Sequence, residues 1–302
     1  MYFFSRFIFL ILICIVTACS VLPVDSKKHT IDLRPYQKSV QIQVPFYAQR
    51  DDLCGPTALA MAMEHVKKPV NFKQLEAQVY TSGLKGSLQQ DMLTAARRQG
   101  LLATTLYTPE ALFKELNNGQ PVILLLNLGV KAWPKWHYTV ATGFDVEREI
   151  AWINSIKPQE EIALQHLLMQ WYRGGKWGMV VTQPNHLPIS ASAEDILQSA
   201  IGLERASQNE KALQTYRAAT AKFSNSALLW MGRGNTAYAN KLPDEAYHAF
   251  EKAIELNPKN GAAYFNAIQI LQEQKKNDEA TLLLEVGLKN AESFRDKLFS
   301  LK

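Results

Sequence analysis

The sequence contains little cysteine, since Cys14, Cys19 and Cys54 are the only three among 302 residues. So few cysteines exclude a small secreted scaffold held by several disulfides. Lys and Arg never occur in runs longer than two, and the net charge of +5 is scattered, so nothing indicates a nucleic-acid-binding protein. With 47% hydrophobic and 20% charged residues the composition is globular, and the length predicts two domains.

The apolar run at the start of the sequence, residues 7–16, is short. A membrane-spanning helix needs about 20 apolar residues, so this run is too short to be one. It follows a basic residue, and the small residues Thr17 and Ala18 then precede Cys19. This order is typical of a signal peptide and its cleavage site, which we expect to occupy residues 1–18.

The segment Val16-Thr17-Ala18-Cys19 resembles a bacterial lipobox, in which the cysteine is lipidated and becomes the new N-terminus. The resemblance implies that Cys19 carries lipid and that residues 19–39, which lack periodicity, form a tether. An uncleaved anchor helix that continues towards Val24 is the alternative. Either way we expect the protein in the cell envelope on a membrane, and Ser20 after the cysteine favours the periplasmic face of the outer membrane.

Residues 40–184 have a mixed α/β pattern and form the first predicted domain. Periodicity and turn residues predict its elements in chain order: a strand over residues 41–46, a helix from Cys54 to about Val66, a helix capped by Asn71, a helix with a Ser87–Gln90 capping box that Gly100 ends, a strand over 101–107, a helix capped by Thr108, a strand over 122–128, a hairpin of 136–144 with 150–154, a helix ending near Tyr172, and a strand over 177–182.

Residues 191–302 lack strand signals and show a 34-residue period instead. The following residues fall at positions 4, 8, 20, 24, 27 and 32 of the tetratricopeptide pattern: Trp230, Gly234, Ala246, Phe250, Ala253 and Pro258. Equivalent residues recur one period before and after them. We therefore predict an all-α tetratricopeptide-repeat solenoid, closed by a helix with Phe294, Leu298 and Phe299.

Cys54 is the one thiol expected to remain free once the signal peptide is removed and Cys19 is lipidated. A solitary cysteine is either an inert buried hydrophobe or a nucleophile. Cys54 is predicted to begin a helix, with Pro56 in the first turn, where its missing N–H costs nothing. The unpaired N–H groups and the dipole of a helix N-terminus favour a thiolate, which a nearby histidinium stabilises further.

His137 is the best-placed of the six histidines to act as a base for Cys54, because it lies on a predicted strand in an aromatic, apolar stretch. His65 shares the helix of Cys54 but lies roughly 16 Å along it, at about 1.5 Å per residue. Four others lie in the tether, in the repeats or in polar, weakly patterned segments: His29, His166, His186 and His248. A lone strand histidine is more often structural.

Two amides are candidates to complete the site. Asn154 lies on the return arm of the hairpin and is predicted to orient the imidazole of His137, although a plain strand-end asparagine is equally compatible with the pattern. Gln49, five residues before the nucleophile, is predicted to donate its amide to an oxyanion together with the Cys54 N–H.

The sequence resembles the bacteriocin-processing, double-glycine peptidase family, a papain-like group. The segments that carry this resemblance are Gln49, Cys54-Gly55-Pro56, Trp136-His137-Tyr138 and Thr142-Gly143-Phe144-Asp145. Two more are similar to those of lipoproteins that join such a domain to tetratricopeptide repeats: Lys85-Gly86-Ser87-Leu88-Gln89 and Gly119-Gln120-Pro121-Val122. The resemblance implies an α+β papain-like cysteine peptidase domain with Cys54 as nucleophile, His137 as base and Gln49 as oxyanion donor, and it implies no metal or cofactor.

One position departs from this family. Transporter-linked members usually have an Asp where this chain has Asn154, and Ser155 follows instead of an acidic residue. Which of these two residues orients His137, or whether neither does, stays open. No ATP-binding domain follows, so cleavage after a paired-glycine leader is not implied.

Three functions are compatible with the sequence. The first is an envelope cysteine peptidase whose repeats bind a protein or peptide. The second is a non-catalytic adaptor that binds peptides through a degenerate peptidase fold. The third is acyl transfer or amide cross-linking by the same Cys–His pair.

Overall fold

The structure is a computed structural model that describes residues 32–49 and 52–301. The predicted signal peptide, Cys19 and residues 19–31 of the predicted tether lie outside the described residues, so the expectations about them stay predictions. Among the helices that are described, none is long and apolar enough to cross a membrane. Residues 32–39 lead into the sheet, and the ring of Tyr36 packs against Phe113 and Phe144.

The first domain contains nine strands and five α-helices in the described part of the chain. In chain order they are β1 (Ser39–Gln41), α1 (Cys54–His65), α2 (Phe72–Val79), β2 (Tyr80–Thr81), β3 (Gly86–Ser87), α3 (Gln89–Arg98), β4 (Leu102–Leu106), α4 (Pro109–Asn117), β5 (Val122–Asn127), β6 (Trp136–Asp145), β7 (Ile150–Asn154), β8 (Glu160–Ala163), α5 (Leu164–Arg173) and β9 (Gly178–Thr182). The predicted helices from Cys54 and Thr108 and the hairpin of β6 with β7 are confirmed.

The main sheet is antiparallel throughout, with strand order β4-β9-β5-β6-β7-β8, and β1 also pairs with β6. The long strand β6 pairs first with β5 and then with β7, and its register shifts between Ala141 and Gly143. A Cβ at Gly143 would lie 2.0 Å from the carbonyl oxygen of Val40. Only glycine therefore lets β1 approach the strand that carries His137.

The two faces of the sheet bury separate cores. On one face α1 packs with α2 and α3, and its whole central stretch, including Leu59, Met61 and Met63, is buried. On the other face α4 and α5 cover the sheet, with Phe113 and Trp171 at the centre. Because α1 is held against β5, β6 and β9, its N-terminal residue Cys54 has a fixed place beside the sheet.

The strand predicted over residues 41–46 is wrong in extent, since β1 ends at Gln41. The carbonyl of Ile42 accepts from the Gln159 side chain at 3.0 Å, and the carbonyl of Val44 accepts from the Asn154 side chain at 3.4 Å. The Ile42 N–H still donates to the Thr142 carbonyl of β6 at 2.7 Å, and beyond it these side-chain bonds replace a strand ladder. Pro45, which has no N–H, also cannot extend one.

Two of the three predicted helix caps are confirmed. The side chain of Asn71 accepts from the Gln74 N–H, and that of Thr108 accepts from the Ala111 N–H. The Ser87–Gln90 capping box is wrong, because Leu88 is the N-cap and Ser87 lies in β3. The carbonyl of Ser87 accepts from the Tyr138 hydroxyl at 3.2 Å, which holds this segment against β6.

The second domain consists of helix pairs that follow the predicted period. They are α6 (Ala193–Arg205) with α7 (Asn209–Lys222), α8 (Ala227–Ala239) with α9 (Pro243–Leu256), and α10 (Gly261–Glu273) with α11 (Asn277–Asn290), followed by α12 (Arg295–Phe299). The first helices of the pairs begin 34 residues apart, as do the second helices. The all-α repeat prediction is therefore confirmed.

Glycine and alanine positions let the paired helices approach closely. A Cβ at Gly234 would lie 2.5 Å from the ring of Phe250, so the ring occupies the space above the glycine. At the C-terminal end Leu298 is buried, as a closing helix requires, while Phe299 is 45% exposed. Leu213, Phe250 and Ile270, from three successive pairs, lie in one apolar cluster, so each pair buries apolar surface against its neighbours.

The first repeat packs directly on the sheet. Leu102 of β4 belongs to the apolar core of the first repeat, and the neighbouring hydroxyls of Thr104 and Ser199 are 3.0 Å apart. In the connection between the domains, the carboxylate of Glu115 accepts from the Ser190 N–H at 2.7 Å. Strand β4 is therefore shared by both domains.

Truncation of Phe250 to alanine tests the packing of the repeats. We expect Phe250→Ala to lower the free energy of unfolding by about 3 to 5 kcal/mol, because the ring is 1% exposed and would leave a cavity. Phe299→Ala, at an exposed position of the same residue type, should change it by about 0.5 kcal/mol. Urea unfolding followed by circular dichroism measures both, and equal losses would contradict this packing.

Candidate active site

An open cleft of about 1420 Å³ lies where the N-terminus of α1 meets the sheet. Its lining contains three of the predicted site residues, Gln49, Cys54 and His137. It also contains Ser155, which replaces the predicted Asn154. The cleft thus brings the candidate nucleophile and the candidate base to one surface.

Cys54 is the first residue of α1, as predicted, and its thiol is half-buried. The sulfur lies against the backbone N–H groups of Cys54, Gly55 and Tyr138, all of which stabilise a thiolate. Two of these N–H groups belong to the free N-terminus of the helix. The third belongs to the residue that directly follows His137 on β6.

His137 is half-buried near the beginning of β6, and its Nε2 lies 2.8 Å from the Ser155 Oγ. That contact leaves Nδ1 as the ring nitrogen able to accept the proton of a thiol. Within the described residues the structure shows no hydrogen bond between His137 and Cys54. Catalytic hydrogen bonds are often long in unliganded enzymes and tighten with substrate.

Asn154 does not reach His137, contrary to the prediction. The side chain of Asn154 accepts from the Gln159 N–H at 2.9 Å and donates to the Val44 carbonyl. Asn154 is the last residue of β7 and its side chain bonds to this segment, whereas Ser155, the first residue after the strand, contacts His137. Ser155 therefore takes the position that was assigned to Asn154, whose role is structural.

Gln49 lies in the cleft, with its amide Nε2 donating to the Tyr138 carbonyl at 3.2 Å. One amide hydrogen is thereby used, and the second is left for a substrate oxygen. The Oε1 atom is buried without a partner among the described residues. The Tyr138 backbone thus bonds to Gln49 through its carbonyl and stabilises a thiolate at Cys54 through its N–H.

Burial keeps both members of the pair neutral in the unliganded structure. It raises the pKa of the Cys54 thiol, which the three backbone N–H groups oppose and the Asp52 carboxylate reinforces. Burial also lowers the pKa of His137, and Lys135 adds to the effect. This differs from the depressed thiol pKa expected from the sequence, because desolvation outweighs the helix N-terminus.

Ser87 is a cleft residue that sequence reasoning placed in a helix cap. Its hydroxyl oxygen is buried, has no partner in the described part of the chain, and lies 2.3 Å from where a Cβ on Gly55 would be. Gly55 therefore lets β3 approach the nucleophile. The signal available in the sequence was the segment Lys85–Gln89, which the family resemblance had marked without a role.

No group of His, Cys, Asp and Glu able to hold a metal ion occurs in the described ranges.

Comparison with known families agrees with the geometry. Residues 41–179 match the Peptidase_C39 like family, and residues 227–260 match the tetratricopeptide repeat. The match supports a papain-like peptidase fold for the sheet domain. The helical domain consists of tetratricopeptide repeats, which support protein or peptide binding.

Solved structures of both kinds are similar to parts of the chain. A double glycine motif protease from an AMS/PCAT transporter, in complex with the leader peptide, is 25% identical over 47% of this chain and 93% of its own, with a TM-score of 0.38. The peptidase domain of Streptococcus ComA, a bifunctional ABC transporter involved in quorum sensing, is 16% identical over 46% and 97%, with a TM-score of 0.38.

The repeats are similar to the second tetratricopeptide domain of Spaghetti (RPAP3) bound to an HSP90 peptide. That structure is 21% identical over 32% of this chain and 91% of its own, with a TM-score of 0.31. No curated protein matches the chain.

The rate at which Cys54 is alkylated should increase with pH over a higher range than for an ordinary thiol, because the pKa of Cys54 is raised. A raised pKa leaves less thiolate at neutral pH. Iodoacetamide should therefore react more slowly with Cys54 than with the thiol of glutathione present in the same sample. The rate should still be increasing with pH after that of glutathione has levelled off. Mass spectrometry of the Cys54 peptide measures the rate. Rapid alkylation that persists in acid and is lost in His137→Ala would instead show a thiolate–imidazolium pair.

Ser155 should act on His137 as a positioning residue. We expect Ser155→Ala to slow acylation of Cys54 on the order of 10-fold, since a lost hydrogen bond of about 1 kcal/mol is close to that factor. Ser155→Asp should raise the pKa of His137, measured by NMR in a Cys54→Ala background. An unchanged pKa in Ser155→Asp would show that the 2.8 Å contact does not govern the imidazole.

Proposed function

We propose that the protein is a lipid-anchored cysteine peptidase of the cell envelope, which hydrolyses peptide bonds while its repeats bind a protein or peptide. The observation that carries the proposal is the position of the Cys54 sulfur. It lies at the N-terminus of a buried helix and against the backbone of the residue that follows His137, in an open cleft. An inert structural cysteine needs none of these features.

The proposed reaction begins with transfer of the thiol proton. The Cys54 sulfur attacks the peptide carbonyl carbon while its proton passes to Nδ1 of His137. The resulting oxyanion accepts hydrogen bonds from the second amide hydrogen of Gln49 and the N–H of Cys54. Collapse of this intermediate breaks the C–N bond, and the imidazolium gives its proton to the leaving amine. A thioester with Cys54 remains.

Hydrolysis of the thioester returns the enzyme to its starting state. His137 takes a proton from water, whose oxygen attacks the thioester carbonyl, and the proton then returns to the departing sulfur. For Nδ1 to accept protons, the neutral ring must carry its hydrogen on Nε2, which donates it to Ser155. A hydroxyl can also donate, so it fixes this tautomer less strictly than a carboxylate does.

Ser155 favours one alternative function, a non-catalytic adaptor that binds peptides through the cleft. Within the described ranges no carboxylate contacts His137 to balance an imidazolium. The raised pKa of Cys54 and the lowered pKa of His137 both favour the neutral forms. Both features slow the first proton transfer. They do not remove either reacting group from the cleft.

Labelling with a peptide that carries a thiol-reactive electrophile separates the peptidase from the adaptor. We expect the full-length protein to form a covalent adduct at Cys54, and His137→Ala to lose it. Gln49→Ala should reduce the rate of peptide hydrolysis on the order of 100-fold to 1000-fold, as removal of one oxyanion donor does. His166→Ala, at another histidine that lines the cleft, is the matched control and should keep labelling.

Labelling that is equal in wild type and His137→Ala would contradict the peptidase and favour the adaptor. The substrate can then be sought by comparing envelope peptides from cells with wild-type protein and with Cys54→Ala. Globomycin-sensitive processing of the precursor and radiolabelled palmitate on Cys19 test the lipid anchor separately.

A further inference from the structure

The turn between β5 and β6 forms a small ordered projection beside the cleft, which we call the hairpin tip (residues 128–135). Val130 and Trp133 form an antiparallel bridge, and the Trp133 N–H donates to the Val130 carbonyl at 3.1 Å. At the base, the Leu128 N–H donates to the Lys135 carbonyl at 2.9 Å. The strand ladder thus continues almost to the end of the turn.

Polar contacts hold the hairpin tip in this conformation. The buried Asn127 side chain accepts from the N–H groups of Gly129 at 2.9 Å and Lys135 at 3.0 Å. Arg173 donates to the Gly129 carbonyl at 3.2 Å. A Cβ at Gly129 would lie 2.3 Å from the Trp133 carbonyl oxygen, so this turn requires glycine.

The hairpin tip presents its apolar side chains to water. Trp133 is 80% exposed and Val130 is 55% exposed, and neither belongs to an apolar core. Trp136, immediately after the tip and 55% exposed, continues the apolar surface to the cleft. The hydrogen bonds of the hairpin tip keep the tryptophan side chain exposed to solvent. Its exposed apolar side chains therefore form a surface that an apolar partner can contact.

The charges of the hairpin tip indicate which partner this is. Residues 128–135 include Lys131 and Lys135 and no acidic residue. A tryptophan beside lysines is typical of a membrane interface, where the ring enters the headgroup layer and the ammonium groups meet anionic lipids. Glu160 and Glu161 line the cleft but lie outside the tip.

We propose that the hairpin tip docks on a lipid bilayer with anionic headgroups, with Trp133 and Val130 entering the headgroup layer. Since Leu128, Lys135 and Trp136 also line the cleft, docking places its mouth at the bilayer surface. This deepens the proposed function by assigning its substrates to peptide segments close to the membrane. The experiment below measures contact with lipid. The docking proposal can therefore be wrong while the proposed peptidase activity remains valid.

The test uses full-length protein reconstituted in vesicles with brominated acyl chains, which quench tryptophan fluorescence at short range. The chain has six tryptophans, so the contribution of Trp133 is obtained by difference. We expect Trp133→Phe to lose most of the lipid-dependent quenching. Trp230→Phe, at a half-buried position in the repeats, should retain it. Quenching should be stronger with phosphatidylglycerol than with phosphatidylcholine alone, and Lys131→Glu should remove that difference.

Two results would overturn the proposal. In the first, wild type and Trp133→Phe are quenched equally in both kinds of vesicle. In the second, Trp133→Phe weakens binding of a peptide probe in detergent solution while lipid quenching is unchanged, which would make the tip a peptide-binding surface. Electrophile labelling of Cys54 in the same samples shows whether the cleft is intact.

Discussion

The contact between the N-terminus of α1 and the backbone of β6 determines what this cleft can do. The sulfur of Cys54 meets two N–H groups of its own helix and one of Tyr138, and the Tyr138 carbonyl holds Gln49. A single peptide segment of β6 therefore places the candidate nucleophile, base and oxyanion donor. This depends on helix α1, whose stretch from Gly55 to Met63 is buried, being packed against the sheet, because an exposed helix could shift along its axis.

The same burial that fixes the nucleophile also limits its ionisation. Removing the thiol from water raises its pKa, and three N–H dipoles only partly compensate. At His137 a hydroxyl stands at 2.8 Å, where a carboxylate would favour the imidazolium. For the proposed peptidase these features predict slow or substrate-activated catalysis, in which peptide binding excludes water and brings the imidazole to the sulfur.

Much of the architecture could be predicted from the sequence, because its signals are local. The repeat helices follow from a 34-residue spacing, and Cys54 follows from a helix start with proline in its first turn. The incorrect predictions concern segments whose local structure is set by residues that are distant in the sequence. The carbonyls of Ile42 and Val44 bond to the side chains of Gln159 and Asn154 instead of continuing a strand, and no local pattern contains that information.

The sequence left the choice between Asn154 and Ser155 open for a related reason. Chemical type favoured the amide, yet the positions of Asn154 at the end of β7 and of Ser155 directly after it are set by the pairing of β7 with β6. Strand β8, at the edge of the sheet, was not predicted. It begins with Glu160 and Glu161, and glutamate is depleted in strands, so the strand signal of this segment is weak.

Strand β4 has a consequence for the chain as a whole, since Leu102 completes the core of the first repeat and Thr104 bonds to Ser199. A protease that cut between Thr182 and Ala193 would break the covalent link but leave this packing in place. The two fragments would remain bound to each other and would elute together in size-exclusion chromatography. Expression of the sheet domain alone would expose the apolar surface at Leu102 to solvent. Low solubility of such a fragment would therefore say nothing about the activity of its cleft.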